Sequence, residues 1–398
     1  MRFGGYDIRV ERKLRIRRGT TLVVTLGSVA VALLLGAVIL AVTGHPPVGV
    51  YRELSKSAFF GWYSFTDTVG AATPLMFTGL AAGIAMRMNL YNIGGEGQLY
   101  IGGIASAWAG LALAPGMPGW LAVVTVMLSG ALGGAAWALI PALARAYFNT
   151  SEIVSTLMFN FVALYLMQYL ISGSYSYWRD EKVVGFPQGK EIARVAQLPL
   201  WRFPKETLLG ITFPPGVTHV HLGVLFAIVA AIVLWVLIEL TRFGYDVRVT
   251  GDSVAAARYA GIPIRRTIIS VMLLSGGLAG LAGAGIVAGQ SYKLDPGGLA
   301  AALGYTGIVI AALARSNPFG VVVVAIVIGG LRSGADNMQS ASGNLKIPVA
   351  IAGMVQGMIL LCTLGGELFR SNRVVIRRVA RQSTSEAEPG GPKAAVAQ

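Results

Sequence analysis

The stretch TLVVTLGSVAVALLLGAVILAVTG, Thr21 to Gly44, decides the fold class. It carries no charged residue, and an uncharged apolar run of about 18 residues or more reads as a membrane-spanning helix. It reads as a retained anchor rather than a cleaved signal, because its apolar core exceeds the roughly 7–15 residues of a signal h-region and no A-x-A-like site closes it. The remainder of the 398 residues agrees. The chain is 55% hydrophobic and 13% charged, against about 25% charged in soluble domains, and its mean hydropathy is +0.65. Further apolar runs centre on residues 70–87, 97–115, 119–141, 153–173, 221–241, 267–289, 298–314, 319–334 and 347–365. The expected fold is an all-α polytopic membrane protein with about ten transmembrane helices.

The net charge of +14 raises the question of a nucleic-acid partner, and its distribution argues against one. Residues 1–18 hold seven Arg/Lys against two acids, residues 367–398 six against three, and residues 239–266 five against three. All three segments flank apolar runs, as the positive-inside rule expects of cytoplasmic segments. With both termini cytoplasmic, ten spans place residues 242–266 inside and the Pro-rich loop of about 174–220 outside. That outer loop opens with SYSYW, Ser174 to Trp178, whose aromatics suit a membrane interface. FFGWYSF, Phe59 to Phe65, reads as an interfacial anchor on the same side. The domain plan is therefore a basic cytoplasmic segment (1–20), a transmembrane domain (21–366) and a basic, disordered cytoplasmic tail (367–398).

Spans two to five begin outside and spans seven to ten begin inside, which points to an inverted four-helix repeat of the kind transporters use. Pairs of glycines four apart, Gly130/Gly134, Gly276/Gly280 and Gly353/Gly357, suit close helix packing.

The inner loop GYDVRVTGDSVAAARYAGIPIRRTI, Gly244 to Ile268, carries the sharpest local signal. Asp252 or Ser253 suits an N-cap, the alanines favour helix, Gly261 suits a left-handed stop and Pro263 blocks continuation. The product is a short cytoplasmic helix of a size to fit a groove on a soluble partner. Its Ala255-Ala256-Ala257, three residues, Gly261, nine residues, Val271 resembles the E-A-A, Gly, Ile loop of ATP-binding-cassette importer permeases, with Ala in place of Glu and Val in place of Ile. NIGGEGQ (Asn92 to Gln98) and ARSNPFGVV (Ala314 to Val322) are similar to the branched-chain/ribose-type permeases, in particular their nucleoside-uptake branch. The resemblance spans about residues 70–365. It implies a transport subunit of the bacterial cytoplasmic membrane, paired with a second copy or a related permease. It further implies two cytoplasmic ATPase subunits holding ATP and magnesium, and an extracytoplasmic substrate-binding lipoprotein. Coupling to the ATPase then falls to Asp252, Ala256, Ala257, Arg258 and Gly261. The chain has no G-x-x-x-x-G-K-[ST] loop of its own; GFPQGKE (Gly185 to Glu191) is one residue short between its glycines and lacks the Ser/Thr.

Glu96 is the odd residue in NLYNIGGEGQLYIGG, Asn89 to Gly103. A carboxylate at membrane depth costs about 2.5–3.5 kcal/mol on insertion scales. Three readings stay open: an ion pair with Arg87 across a turn, an acceptor for unwound backbone, and a contact with polar cargo. Gly-interrupted spans point toward transport sites, so Asn92, Gly94, Gly95, Glu96, Gln98 and Asn160 are candidates for the translocation path. His219-Val220-His221 lacks the third and fourth ligands a structural metal needs, no catalytic set stands out, and Cys362 is alone. The cargo expected is a nucleoside. The alternatives are a simple sugar such as ribose in the same machine, or an ion-coupled secondary transporter, against which Glu96 stands as nearly the sole intramembrane carboxylate.

Overall fold

The computed structural model describes residues 2–3, 6–12, 18–172, 176–183, 185, 187–203, 207–208, 211–212, 216–340, 353–355, 357–359, 361–362, 365–366 and 372–378. They divide into two units, residues 34–360 and the two ends, 1–33 with 361–398.

In the terminal unit, Tyr6–Arg12 pairs antiparallel with Asn372–Arg378, in a register that sets Ile8 against Ile376, Val10 against Val374 and Glu11 against Arg373. Part of the tail expected to be disordered is therefore a strand. The reason is composition: NRVVIRR is β-branched at its centre, which suits a ladder. Residues 379–398 lie outside the described set.

The helices in chain order are α1 (Arg18–Val42), α2 (Pro47–Phe59), α3 (Trp62–Arg87), α4 (Gly95–Ala112), α5 (Gly119–Phe148), α6 (Glu152–Ser172), α7 (Gly223–Leu240), α8 (Arg242–Asp252), α9 (Val254–Tyr259), α10 (Ile264–Ile286), α11 (Pro296–Leu299), α12 (Leu303–Leu313) and α13 (Pro318–Ser340). Among the described residues, seven helical segments are long and apolar enough to cross a membrane, or eight counting the pair formed by Gly27–Val42 and α2, bent by 118°. The chain is an all-α polytopic membrane protein. Two expected spans fall outside that count. Residues 347–365 lie mostly outside the described set, and α4 is too polar to qualify by composition. Glu96, Gln98 and Ser106 in α4 are nonetheless buried, because the helix is enclosed by α3, α5, α6, α10 and α12 and presents little surface to lipid.

Small residues set how closely these helices approach. Gly130 and Gly134 of α5 pack directly on Gly276 and Gly280 of α10, and a methyl group on any of the four would collide with its neighbours. Two of the glycine pairs seen in the sequence are thus two sides of one interface, held by backbone contact as small-residue membrane interfaces are. On the other side of the core, Gly79 of α3 meets Val321 of α13, and Gly329 of α13 meets Ala72 of α3.

Candidate functional site

Chain geometry brings the sequence's candidate path residues together. α3 ends at Arg87, and Asn89 turns the chain through a left-handed conformation (φ 54°), one that Asn tolerates better than most residues. The chain then runs back into the bundle. Asn92 donates to Ser275 Oγ at 2.8 Å, and that hydroxyl donates to Ala81 O at 2.6 Å. Ala81 is six residues before Arg87, so Asn92 stands roughly 9 Å inside the end of α3 at 1.5 Å rise per residue.

The side chains around it close on one another. Asn92 Nδ2 donates to Gln98 Oε1 (2.8 Å), and Asn92 Oδ1 accepts from Gln98 Nε2 and from Gly94 N, each at 3.1 Å. Asn160 of α6 accepts from Gly97 N (2.8 Å) while its amide donates to Ile93 O and to the Tyr305 hydroxyl. Gly304 sits on the Gly95–Glu96 backbone with no room for a side chain.

Glu96 is 2% exposed. Its carboxylate accepts from Tyr100 Oη at 2.7 Å and from Gly304 N at 2.6 Å. It lies in the first turn of α4 and at the start of α12, whose own N-cap residue, Ala302, makes no side-chain cap. The first N–H groups of a buried helix need partners, and each helix start carries about half a positive charge. The carboxylate meets the start of α12, while Gly97 N at the start of α4 donates to Asn160. Of the three readings left by the sequence, the acceptor for unwound backbone fits. The Arg87–Glu96 pair does not form, because the re-entrant segment carries Glu96 away from Arg87. Arg87 instead meets Glu239 of α7 at 3.2 Å and donates to Ser316 O at 3.1 Å.

A second site was not anticipated. A cavity of about 620 Å³ opens among α3, α13 and the end of α10, lined by Asp67, by Gln290 and Tyr292, and by Ser333, Asp336 and Asn337, with Leu200 of the 174–220 loop beside them. Here α10 ends in a π-helix, Val287–Ser291, followed by Tyr292 in a left-handed conformation (φ 56°). Single π turns and strained non-glycine residues concentrate at functional sites. The 174–220 loop holds this turn by its backbone: Ile192 N donates to Tyr292 O and Leu198 N to Ala288 O, each at 2.8 Å. Asp67 and Asp336 also correct an expectation, since Glu96 is not nearly the only carboxylate within membrane helices. Both residues sit near helix ends, where polar residues in a sequence look like span boundaries.

At the opposite ends of α3 and α7 lies the 242–266 loop. Ser253, not Asp252, caps α9, accepting from Ala256 N at 3.2 Å, while Asp252 closes α8. Gly261 has φ 72° and Pro263 opens α10. Ala256 and Arg258 are exposed, as is Tyr259 at 96%, but Ala257 is fully buried. α8 is tied to its neighbours: Arg248 reaches Glu239 at 2.9 Å, and Asn89 donates to Gly251 O at 2.6 Å.

Comparison with known proteins fits this architecture. Residues 64–364 match the family model described as branched-chain amino acid transport system / permease component. The chain belongs to that permease family. Among its relatives is a guanosine ABC transporter permease, NupP, of Bacillus subtilis, 33% identical over 87% of this chain and 94% of the relative. A glucose ABC transporter permease, TsgB13, of Haloferax volcanii is 30% identical over 92% of both chains. A nucleoside ABC transporter permease, NupB, of Lactococcus lactis is 30% identical over 85% of this chain and 89% of the relative. No solved structure matches.

The end of the bundle that carries the π turn also holds a buried imidazole. His221 Nδ1 accepts from Gly223 N at 3.1 Å, and Nε2 has no hydrogen-bond partner among the described residues. Its ring packs on Gly289 of the π turn. Burial pushes its pKa down from 6.5 to about 4. The fold refuses a proton that the unfolded chain accepts below about pH 6.5, so stability is lost as pH falls from there toward 4. This one group is expected to remove about 2 kcal/mol between roughly pH 7 and pH 5. Thermal melting of the purified protein at the two pH values checks it: His221→Gln should lose less than the parent, and equal losses would refute the assignment.

Proposed function

We propose that this chain is the permease subunit of an ATP-driven importer, and that its cargo is a nucleoside. Membership of the permease family carries the class. The relatives named for guanosine and nucleosides support the cargo. The glucose permease relative keeps a sugar as the second reading. An ion-coupled secondary transporter is disfavoured by family membership, not by any shortage of carboxylates.

In this reading two cytoplasmic ATPase subunits bind ATP and magnesium, and a second permease, either a copy of this chain or a relative, completes the path. An extracytoplasmic lipoprotein delivers the cargo, and the membrane is the bacterial cytoplasmic one. The exposed face of α9 meets the ATPase. A push on α9 passes to α8, and from there through Glu239 and the Arg87 and Asn89 contacts to α7 and α3. α3 lines the outer cavity near its other end, so one helix connects the two sites.

The packing supports the inverted repeat as part of this proposal. If α3 corresponds to α10, α4 to α12 and α5 to α13, then the α5–α10 interface is mirrored by α13–α3, and α4–α10 by α12–α3; all four contacts exist. The strand pairing of the chain's two ends supports an even number of crossings, and their basic charge supports a cytoplasmic location. The test is uptake of labelled guanosine and ribose by cells lacking this chain, before and after it is restored. Restored guanosine uptake is expected; restored ribose uptake alone would replace the cargo.

A further inference from the structure

We propose that the outer cavity is the cargo-selecting site of this permease, in which Tyr292 stacks on the base while Asp67 and Asp336 accept hydrogen bonds from the sugar hydroxyls. The inference rests on the nucleoside reading above and names the residues that would choose that cargo.

Size comes first. About 620 Å³ lies within the roughly 300–1,000 Å³ of small-molecule sites, so one nucleoside fits with some water. The lining then fixes the chemistry. It offers two carboxylates, two carboxamides, a hydroxyl and a phenol, and no lysine or arginine lines it among the described residues. Arg332, one turn before Asp336, donates to Ala301 O at 3.0 Å. A vicinal diol is a pair of donors that suits carboxylate oxygens, which only accept. Asn337 and Gln290 carry both donors and acceptors for a base edge. Asn337 at present donates to Asp67 at 3.4 Å and Gln290 to Gly70 O at 3.0 Å. The first is a long contact that a ligand can replace at little cost.

The same lining rejects anions. A phosphate brought out of water beside two carboxylates pays both desolvation and repulsion, and the nearby Arg332, whose charge already acts on Asp336, is held to Ala301 O. The site therefore takes neutral, hydroxyl-rich cargo and excludes nucleotides.

Tyr292 gives the site its preference for a base over a bare sugar. An aromatic face stacks on any nucleobase, and this ring is carried on a backbone held in a rare conformation by Ile192 N. Such a residue is set in place before the ligand arrives.

The experiment measures equilibrium binding of labelled guanosine to the purified permease–ATPase assembly without the delivering protein, so that the affinity belongs to the permease. Saturable binding is expected, uncompeted by guanosine monophosphate. Tyr292→Ala should weaken it about tenfold, Tyr292→Phe should leave it within about twofold, and Asp336→Asn should both weaken guanosine and let the monophosphate compete. Unchanged affinity in Tyr292→Ala and Asp336→Asn, or no binding to an assembly that imports guanosine in cells, would overturn the site and leave the nucleoside reading standing. An assembly that imports only sugars in cells would overturn that reading itself.

Discussion

Replacing Glu96 with alanine should destabilise the protein by about 3 kcal/mol or more and reduce uptake at least tenfold. The carboxylate accepts from Tyr100 and Gly304 N in a buried setting. A hydrogen bond to a charged group contributes about 1.5–3 kcal/mol, and a buried donor left unsatisfied costs about 1–3 kcal/mol. The helix-end charge adds to this, because the starts of α4 and α12 meet there. Glutamine keeps one oxygen acceptor and should recover part of the loss. Melting of the purified variants, alongside uptake by cells that contain them, reads both effects. An alanine variant within about 1 kcal/mol of the parent would mean that the start of α12 is satisfied in some other way.

Placing a charge on α9 should have an equally large effect on transport, with an outcome that depends on which alanine carries it. Ala256 is exposed, so Ala256→Asp should abolish uptake and ATPase retention while leaving membrane abundance and melting unchanged. Ala257 is fully buried. Ala257→Asp places a carboxylate where it has neither water nor a partner, which costs several kcal/mol, so that variant should fail through stability. Equal melting losses in both, or normal uptake with Ala256→Asp, would remove α9 from the ATPase interface.

Those two alanines show where the sequence was legible. The bounds of α9 could be read because a capping serine, a left-handed glycine and a proline act on their own neighbours. Which face of the helix is buried depends on distant packing and could not be read. The membrane class was equally plain, since hydrocarbon demands long apolar segments. α4 shows the limit of that rule, because a helix sheltered from lipid can keep Glu96 and Gln98. The path candidates Asn92, Gly94, Gly95, Glu96, Gln98 and Asn160 lie together, and the hydrogen bonds of their side chains are made largely with one another and with backbone. Glu96 finds its partner Gly304 208 residues away, and nothing local announces it. The cavity lined by Asp67, Tyr292 and Asp336 escaped for the same reason. Its polar residues come from α3, the π turn and the far end of α13, and each looks like an ordinary span end. The run SGADN, Ser333 to Asn337, was the available signal: a carboxylate and an amide within a helix otherwise apolar enough to cross the membrane.

The central claim is that an ATPase partner drives nucleosides through this chain. Its most direct test is accumulation of labelled guanosine in vesicles reconstituted with the permease, its ATPase and its binding protein, with the ATPase either intact or altered at its P-loop lysine. Accumulation against a gradient is predicted with the intact ATPase and none with the altered one. Accumulation indifferent to that lysine would contradict the account.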